Sequence, residues 1–265
     1  MASPRAGDAS NGRSLPITIL QSAPIDAPDW VRRCMASVKT WAYAQGYAYE
    51  ETDDALFDWV KPSLQEKLAG RGPILADLGR LRWMESNLAE HKGMVFWIDA
   101  DTINLDPEWS IPEHSHSVFG EECWIQKNKR GDWRRYLTPH NAFMGFTADS
   151  PILPFLAYIS ESIIERADSS YISPQMIGPK LLKSLHNLAQ FPLLQEAGVI
   201  SPVLLQEWGG NKGDASACYE AEDRPALAMA NLCASLVKQY RHEVFIRQLL
   251  DAPELFAILK CKSTG

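Results

Sequence analysis

Met94-Val-Phe-Trp-Ile98 is an unbroken apolar run that leads directly into Asp99-Ala100-Asp101-Thr102. A short run with no polar side reads as a strand buried on both faces, the kind found at the centre of a parallel sheet. The two acids at its end are spaced i, i+2. In an extended chain they point to one side, with Cβ atoms roughly 6–7 Å apart. Ligands of α/β sheets bind beyond the carboxyl ends of the strands. A carboxylate pair there can hold a hard divalent cation, Mn²⁺ or Mg²⁺, and such a cation can clamp a diphosphate.

Upstream, Ile74–Glu90 has Leu78, Leu81, Met84, Glu85 and Leu88 on one face and predicts an amphipathic helix. Pro16–Ser22 is short and β-branched and predicts a strand. Trp30–Gln45 repeats Val31, Cys34, Met35, Val38, Trp41 and Ala42 at helical spacing, with Asp26 or Asp29 as cap and Gly46 as stop. Tyr47–Glu50 predicts a second strand. Strand, helix, strand, helix, strand is the rhythm of an α/β sheet.

After Asp106-Pro107 the pattern changes. Val118–Ile125 and Tyr136–Thr147 predict strands around a basic hairpin. Helices are expected at Pro151–Arg166, at Pro174–Leu188 with an interruption at Gly178-Pro179, and over Arg224–Leu250. Gln206–Glu222, with Gly209, Gly210 and Gly213, reads as a mobile loop. The organisation expected is a flexible leader over 1–14 and one domain over 15–265, with a parallel front half (15–107) and a mixed back half (108–265).

The chain has 265 residues, 46% of them hydrophobic, including nine Trp, which is ample for a core. No run reaches the ~18 apolar residues of a membrane span, and the N-terminus lacks the apolar core of a secretory signal. The five Cys form no CxxC pair, which fits a reducing, cytoplasmic setting. The net charge of −7 disfavours a globally basic nucleic-acid binder.

Two chemistries use a strand-end D-x-D. One is metal-dependent glycosyl transfer from a nucleotide sugar, with Asp99 near the ribose and Asp101 on the metal. The other is a haloacid-dehalogenase-type phosphatase, with Asp99 as nucleophile and Asp101 as general acid/base. The phosphatase motif normally occupies the first strand of its domain, whereas here some 80 residues of the domain precede it. Its downstream partners would have to come from Lys183, Lys238 or Gly213-Asp214, none of which follows a clear strand. A third reading is a sugar-nucleotide binder without catalysis.

Further segments carry a resemblance. Asp77-Leu-Gly-Arg80 lies on the helix before the D-x-D and resembles the A-D-x-x-R helix of the DXD sugar-binding glycosyltransferases, a retaining group similar to glycosyltransferase family 32. His91–Asp101 looks like that family's run into the D-x-D, with His-Lys-Gly-Met in place of a double Gly. Asn141-Ala-Phe-Met-Gly145 is similar to its next strand. Ile177-Gly178-Pro179 resembles its T-G-P helix start. Ala228-Met-Ala-Asn231 resembles its C-terminal A-x-H context, with Asn in the His place.

The resemblance implies a GT-A-like fold, a single α/β domain with a mixed, mostly parallel sheet flanked by helices. It implies a Rossmann-like, nucleotide-binding front half and a retaining transfer of a hexose from a UDP- or GDP-sugar, UDP favoured, with Mn²⁺ or Mg²⁺. It implies Asp77, Arg80, Asp99 and Asp101 as catalytic residues and Asp99, Asp101 and Asn231 as metal contacts; an Asn oxygen can ligate a hard cation. Gln21, Ser22, Ala23, Asn141, Gly178 and Pro179 would complete the donor site. A retaining path does not require a general base, and Glu121 and Glu122 are the carboxylates nearby should one be used.

Trp124–Tyr136 interleaves aromatics with five cations and one acid. Trp124, Lys127, Arg130, Trp133 and Arg134 read as an acceptor platform, since aromatics stack on sugars or bases and cations meet phosphates. The acceptor classes this leaves open are a glycan, a glycolipid diphosphate at an anionic membrane surface, and modified DNA as a minor option. His114 and His116 have metal-ligand spacing without an evident third ligand, and His242 is a second candidate for the C-terminal contact.

Overall fold

The computed structural model describes residues 15–113, 116–168 and 171–252. The expected leader and His114 lie outside the described residues.

The front half builds three parallel strands: β1 (Ile17–Ser22), β2 (Ala48–Thr52) and β3 (Met94–Ile98). Helices α1 (Asp29–Ala44), α2 (Pro62–Lys67) and α3 (Gly72–Glu90) connect them. The back half adds β4 (Thr102–Asn104), β5 (Ser117–Lys127), β6 (Trp133–Thr147), α4 (Ile152–Arg166), α5 (Pro179–Ala189), β7 (Leu193–Leu194), β8 (Ala197–Val199), α6 (Pro202–Gly209), α7 (Asp214–Glu220), β9 (Met229–Asn231), α8 (Val237–Tyr240) and α9 (Glu243–Asp251). The main sheet has the order β2-β1-β3-β6-β5-β7, and β6 alone runs against its neighbours. A second, three-stranded sheet has the order β4-β9-β8. This is the mixed, mostly parallel α/β sheet flanked by helices that the sequence predicts.

Strand alternation sorts the core into two faces. Phe96 and Ile98 pack with Val38 and Trp41 of α1, while Val95 and Trp97 pack with Leu81 and Met84 of α3 and Leu153 of α4. β3 is buried along its whole length, so its backbone groups must be satisfied by β1 and β6 on either side.

Beyond the end of β3, β5 and β6 continue together as a two-stranded arm, paired from Gly120/His140 out to Lys127/Trp133. At its base the register shifts: Met144 lies opposite Phe119, but His140 lies opposite Gly120, so Asn141, Ala142 and Phe143 bulge out of the β5 ladder. Such bulges re-aim side chains. His140 pins this one, its Nδ1 accepting from Ala142 N (3.2 Å) and its Nε2 meeting Ala197 O (3.0 Å). Nε2 therefore carries the proton, and burial holds the ring below the usual histidine range. A side chain at Gly120 would collide with His140 and the Ala197 carbonyl.

Several expectations are corrected. Gln206–Glu222 is not a loop but α6 and α7, because the Glu207 carboxylate gathers the amides of Gly213, Ala215 and Ser216 and the Ser216 hydroxyl. Arg224–Leu250 is not one helix. Its apolar stretch Met229–Asn231 is drawn between β4 and β8 as a strand, and short helices follow. Helix α5 begins only at Pro179, with Gly178 as its N-cap. Neither Asp26 nor Asp29 caps α1; Pro28 is the N-cap residue and Asp29 sits in the first turn.

Candidate active site

Asp99 leaves the end of β3, where its N–H donates to Ala142 O (2.8 Å) and its carbonyl accepts from Gln21 Nε2 (3.2 Å). The chain then turns. Thr102 N–H donates to Asp99 O at 3.0 Å, because Thr102 must leave the main sheet to start β4 against β9. The triplet is therefore not extended, and its two carboxylates have separate surroundings.

Asp99 looks toward α3. Its Oδ1 accepts from Arg80 Nη1 (2.9 Å) and Trp97 Nε1 (2.6 Å). Trp97 lies two residues back on the same strand face, and the Arg80 guanidinium lies 5.1 Å from its ring centre. Arg80 also reaches Asp77 Oδ1 (2.8 Å) through Nη2, Asn141 O (2.9 Å) through Nη1, and Ala76 O (3.3 Å) through Nε. Asn141 Nδ2 closes the ring of contacts on Asp77 Oδ1 (2.8 Å). Asp77 and Arg80 are each only 7% exposed, so this is a buried bridge rather than the solvated helix pair that i, i+3 spacing alone describes. Burial pushes the Asp77 carboxyl up to about 6, with Arg80 and the Asn141 hydrogen bond opposing and Asp99 adding to the rise.

Asp101 looks toward the C-terminal strand. Asn231 Nδ2 donates to its Oδ1 (2.6 Å), Ala234 N to its Oδ2 (2.7 Å) and Leu232 N to its carbonyl (3.0 Å). Burial, and after it the Asp99 charge, push Asp101 up to about 6. Asn231 thus turns its NH₂ to Asp101, while its own oxygen accepts from Cys233 N (3.0 Å). In this arrangement it orients the carboxylate that the resemblance paired it with. Cys233, at φ 57°, is the left-handed residue that brings Ala234 N–H round to Asp101.

Gly178 and Pro179 close over the other side of the cluster. A Cβ on Gly178 would lie 2.8 Å from both Asp77 Oδ2 and Asn141 Nδ2, so this close approach of the loop to the cluster requires glycine. Gln21 is fully buried between Asp99 O and the Tyr49 hydroxyl (2.9 Å) and acts as a brace. Ser22 Oγ donates to Asp53 O (3.1 Å), and Ala23 N to Thr52 O (3.3 Å), so both line the ends of β1 and β2.

The structure thus brings Asp77, Arg80, Asp99, Asp101, Asn141, Gly178, Gln21 and Asn231 into one cluster. The basic arm residues stand apart. Lys127 lies over Trp133 (5.0 Å), Arg134 is 3.7 Å from Asp132, Trp124 Nε1 donates to Gln126 Oε1 (3.1 Å), and Arg130 is exposed at the turn. None of these contacts reaches the carboxylate cluster. His242 is buried with Nε2 at Leu232 O (3.1 Å), behind the segment that holds Asp101. Trp97 and His140 were missed in the sequence. Strand period already places Trp97 beside Asp99, but no local signal marks His140.

Among the described residues no group of three His, Cys, Asp or Glu side chains converges as a protein-only metal cage. The donor set instead fits a hard cation shared with a ligand. Among the described residues none donates to Asp99 Oδ2, and each oxygen of Asp101 accepts one hydrogen bond and keeps a lone pair. Mg²⁺-like ions are commonly held by one or two carboxylates, with substrate phosphates and water completing the shell.

Compared by sequence, the chain matches no family model and no curated protein. Compared by structure, it is similar to a glycosyltransferase involved in the glycosylation of the major capsid of PBCV-1, with 11% identity and a TM-score of 0.50 over 86% of this chain and 98% of that one. At that identity the likeness speaks for the fold, and the fold is that of a GT-A-like glycosyltransferase.

Proposed function

We propose that this chain is a metal-dependent glycosyltransferase that moves a hexose from a nucleotide sugar, a UDP-sugar in the first instance, to an acceptor hydroxyl. The observation that carries the reading is the D-x-D turn at the end of the central strand. It holds one carboxylate with a free oxygen and one buried carboxylate above its ordinary pKa, in a fold shared with a glycosyltransferase. Mn²⁺ or Mg²⁺ on Asp99 and Asp101 would neutralise the diphosphate leaving group.

The chain's own residues supply the rest. Arg80 fixes Asp99, and Asn231 with the Ala234 amide fixes Asp101, so the carboxylates need no reorganisation when the donor arrives. Asp77 Oδ2, beneath Gly178, would accept from a sugar hydroxyl. The ends of β1 and β2 at Ser22 and Ala23 border the space for the nucleoside. The arm residues Trp124, Lys127, Arg130, Trp133 and Arg134 would meet the acceptor.

Nothing observed favours a phosphatase. The cation on Asp99 is Arg80, itself locked between Asp77 and Asn141, and Asp99 Oδ1 is already engaged twice. The test is nucleotide release from a panel of UDP-, GDP- and TDP-sugars with Mn²⁺ or with EDTA. Slow donor hydrolysis that EDTA abolishes and Asp99→Asn removes supports the reading. Donor binding without any release, or cleavage of p-nitrophenyl phosphate in place of the sugars, refutes it.

A further inference from the structure

The ladder of the β5–β6 arm divides its aromatics and cations between two faces. From Glu121/Pro139 out to Lys127/Trp133 the pairing is unbroken, so directly opposed residues share a face and successive ones alternate. Cys123, Ile125 and Trp133 turn inward. The first two are buried in the core that Trp30, Val31 and Cys34 of α1 enter, and Trp133 packs against it. Lys127 lies over the Trp133 ring, and Arg135 reaches Glu222 (3.6 Å) and the Cys218 carbonyl (3.3 Å) beside α7. These side chains are committed to the support of the arm itself.

The outer face holds the opposed pairs Glu122/Thr138, Trp124/Tyr136 and Gln126/Arg134. Its middle pair is two aromatics side by side, Tyr136 38% exposed and Trp124 half-buried. The Trp124 indole N–H donates to Gln126 Oε1 (3.1 Å), which fixes the ring beside the Gln126 amide, and Thr138 Oγ1 donates to Glu122 Oε2 (3.2 Å). The charges of this face cancel, with Glu122 at one end and Arg134 at the other. Lys129 and Arg130 sit in the turn, which Asn128 Oδ1 closes by accepting from Arg130 N (2.8 Å) and Asp132 N (3.0 Å). Two aromatic rings bordered by an amide, a hydroxyl and one charge of each sign match a sugar chain, whose C–H faces lie on rings while its hydroxyls donate and accept. A phosphate-rich partner calls for aromatics and cations on one surface, and here the ladder sets them apart.

We propose that this outer face binds an uncharged glycan, and that the acceptor of the transfer is an oligosaccharide chain rather than a lone sugar. The second half of the proposal rests on the glycosyltransferase reading. The root of the arm belongs to the carboxylate cluster, since Asn141 Nδ2 donates to Asp77 and the Ala142 carbonyl accepts from Asp99 N–H. Trp124 and Tyr136 stand four residues further out than Gly120 and His140, roughly 14 Å at about 3.4 Å per residue. An acceptor resting on both rings must span that length to bring its terminal hydroxyl to the donor.

Native electrophoresis of the full chain in gels holding dextran, mannan, arabinoxylan, galactomannan or xyloglucan tests the proposal. At least one polysaccharide is expected to retard the wild type, and about 0.5 M salt should leave the retardation in place, because an uncharged ligand forms no ion pair to screen. Trp124→Ala and Tyr136→Ala should each weaken it roughly 2- to 10-fold, while Lys129→Ala with Arg130→Ala should bind as the wild type does. Tyr136 is exposed, so Tyr136→Ala decides the matter should Trp124→Ala lose stability. No retardation in any gel, or full retardation of the folded aromatic variants, overturns the proposal. So does binding confined to phosphatidylserine vesicles or duplex DNA and lost with the turn cations. Nucleotide release is read separately: retardation without release leaves the glycan face standing and removes the transfer, and release without retardation does the reverse.

Discussion

Arg80→Met is the substitution that most directly tests how the site is held. The guanidinium joins two carboxylates, Asp77 at 2.8 Å and Asp99 at 2.9 Å, and also binds the Asn141 and Ala76 carbonyls. Methionine keeps the stem and the packing on Trp97 but removes every donor. Breaking one side of a buried ion pair costs about 3–5 kcal/mol, because the partner charge is left without compensation. Asp77, at 7% exposure, is the partner that suffers, whereas Asp99 is more open to water.

The loss must depend on pH, with a definite sign. Asp77 already stands at about 6 with Arg80 present, above its ordinary 3.8. Without Arg80 its folded pKa rises further. A carboxyl raised in the folded state destabilises when ionised, and the penalty vanishes as pH falls through the folded pKa towards the unfolded one. The variant should therefore lose about 3–5 kcal/mol at pH 8 and much less at pH 5. Urea unfolding at the two pH values measures this directly. For a chain of this size the pH 8 loss corresponds to a fall in Tm of roughly 6–20 °C. Adding Asp77→Asn to Arg80→Met should recover part of the loss at pH 8, since the stranded charge is gone. A variant within about 1 kcal/mol of wild type at pH 8, or a double variant with no recovery, would refute the buried-bridge argument.

Three further outcomes are expected. Gly178→Ala places a methyl 2.8 Å from Asp77 Oδ2 and Asn141 Nδ2, so it should cost about 1–3 kcal/mol in chemical denaturation and weaken donor binding in calorimetry; wild-type donor affinity would contradict the close approach. In EDTA the wild-type Tm should fall as pH rises from 5 to 8, because Asp77 and Asp101 both titrate near 6 when folded, and Mn²⁺ should raise Tm more at pH 8 than at pH 5. Burial raises the Glu161 carboxyl, but the hydrogen bonds and charges of Lys61 and Arg82 outweigh it and hold the group below its ordinary 4.5, so its stabilisation is present above that value and lost as pH falls below it; Glu161→Gln should flatten the acid limb of a Tm-against-pH curve.

How far the site could be read in advance divides along one physical line. Segments whose partners lie nearby in sequence, or whose environment is uniform, were legible. The β3 run is apolar on both sides because it is buried on both sides, and α1 and α3 show their inner faces at helical spacing. Met229–Asn231 was not legible as a strand, because an apolar stretch with no period is equally a buried helix, and only pairing with β4 and β8 decides between them. Gln206–Glu222 failed for a related reason: its glycines suggested a loop, but one carboxylate, Glu207, supplies the cap that its backbone needs.

The D-x-D triplet shows the same division inside the site. Spacing alone sets Asp99 and Asp101 on one side of a strand, yet Thr102 must start β4 in a different sheet, and the turn this forces sends the two carboxylates to different supports. Asp99 is fixed by a helix earlier in the chain and Asp101 by a strand far later in it. A residue type can be read at either support, but its direction cannot. Asn231 stands where a ligand was expected and faces Asp101 with its donor end, because its oxygen is needed to hold the Cys233 amide and, through it, the left-handed bend that delivers Ala234 N–H to the same carboxylate. Reversing that amide would put an oxygen against Asp101 Oδ1 and strand the Cys233 N–H. Its orientation is thus set by the hydrogen bonds of its own loop, and the same amide holds Asp101 in place.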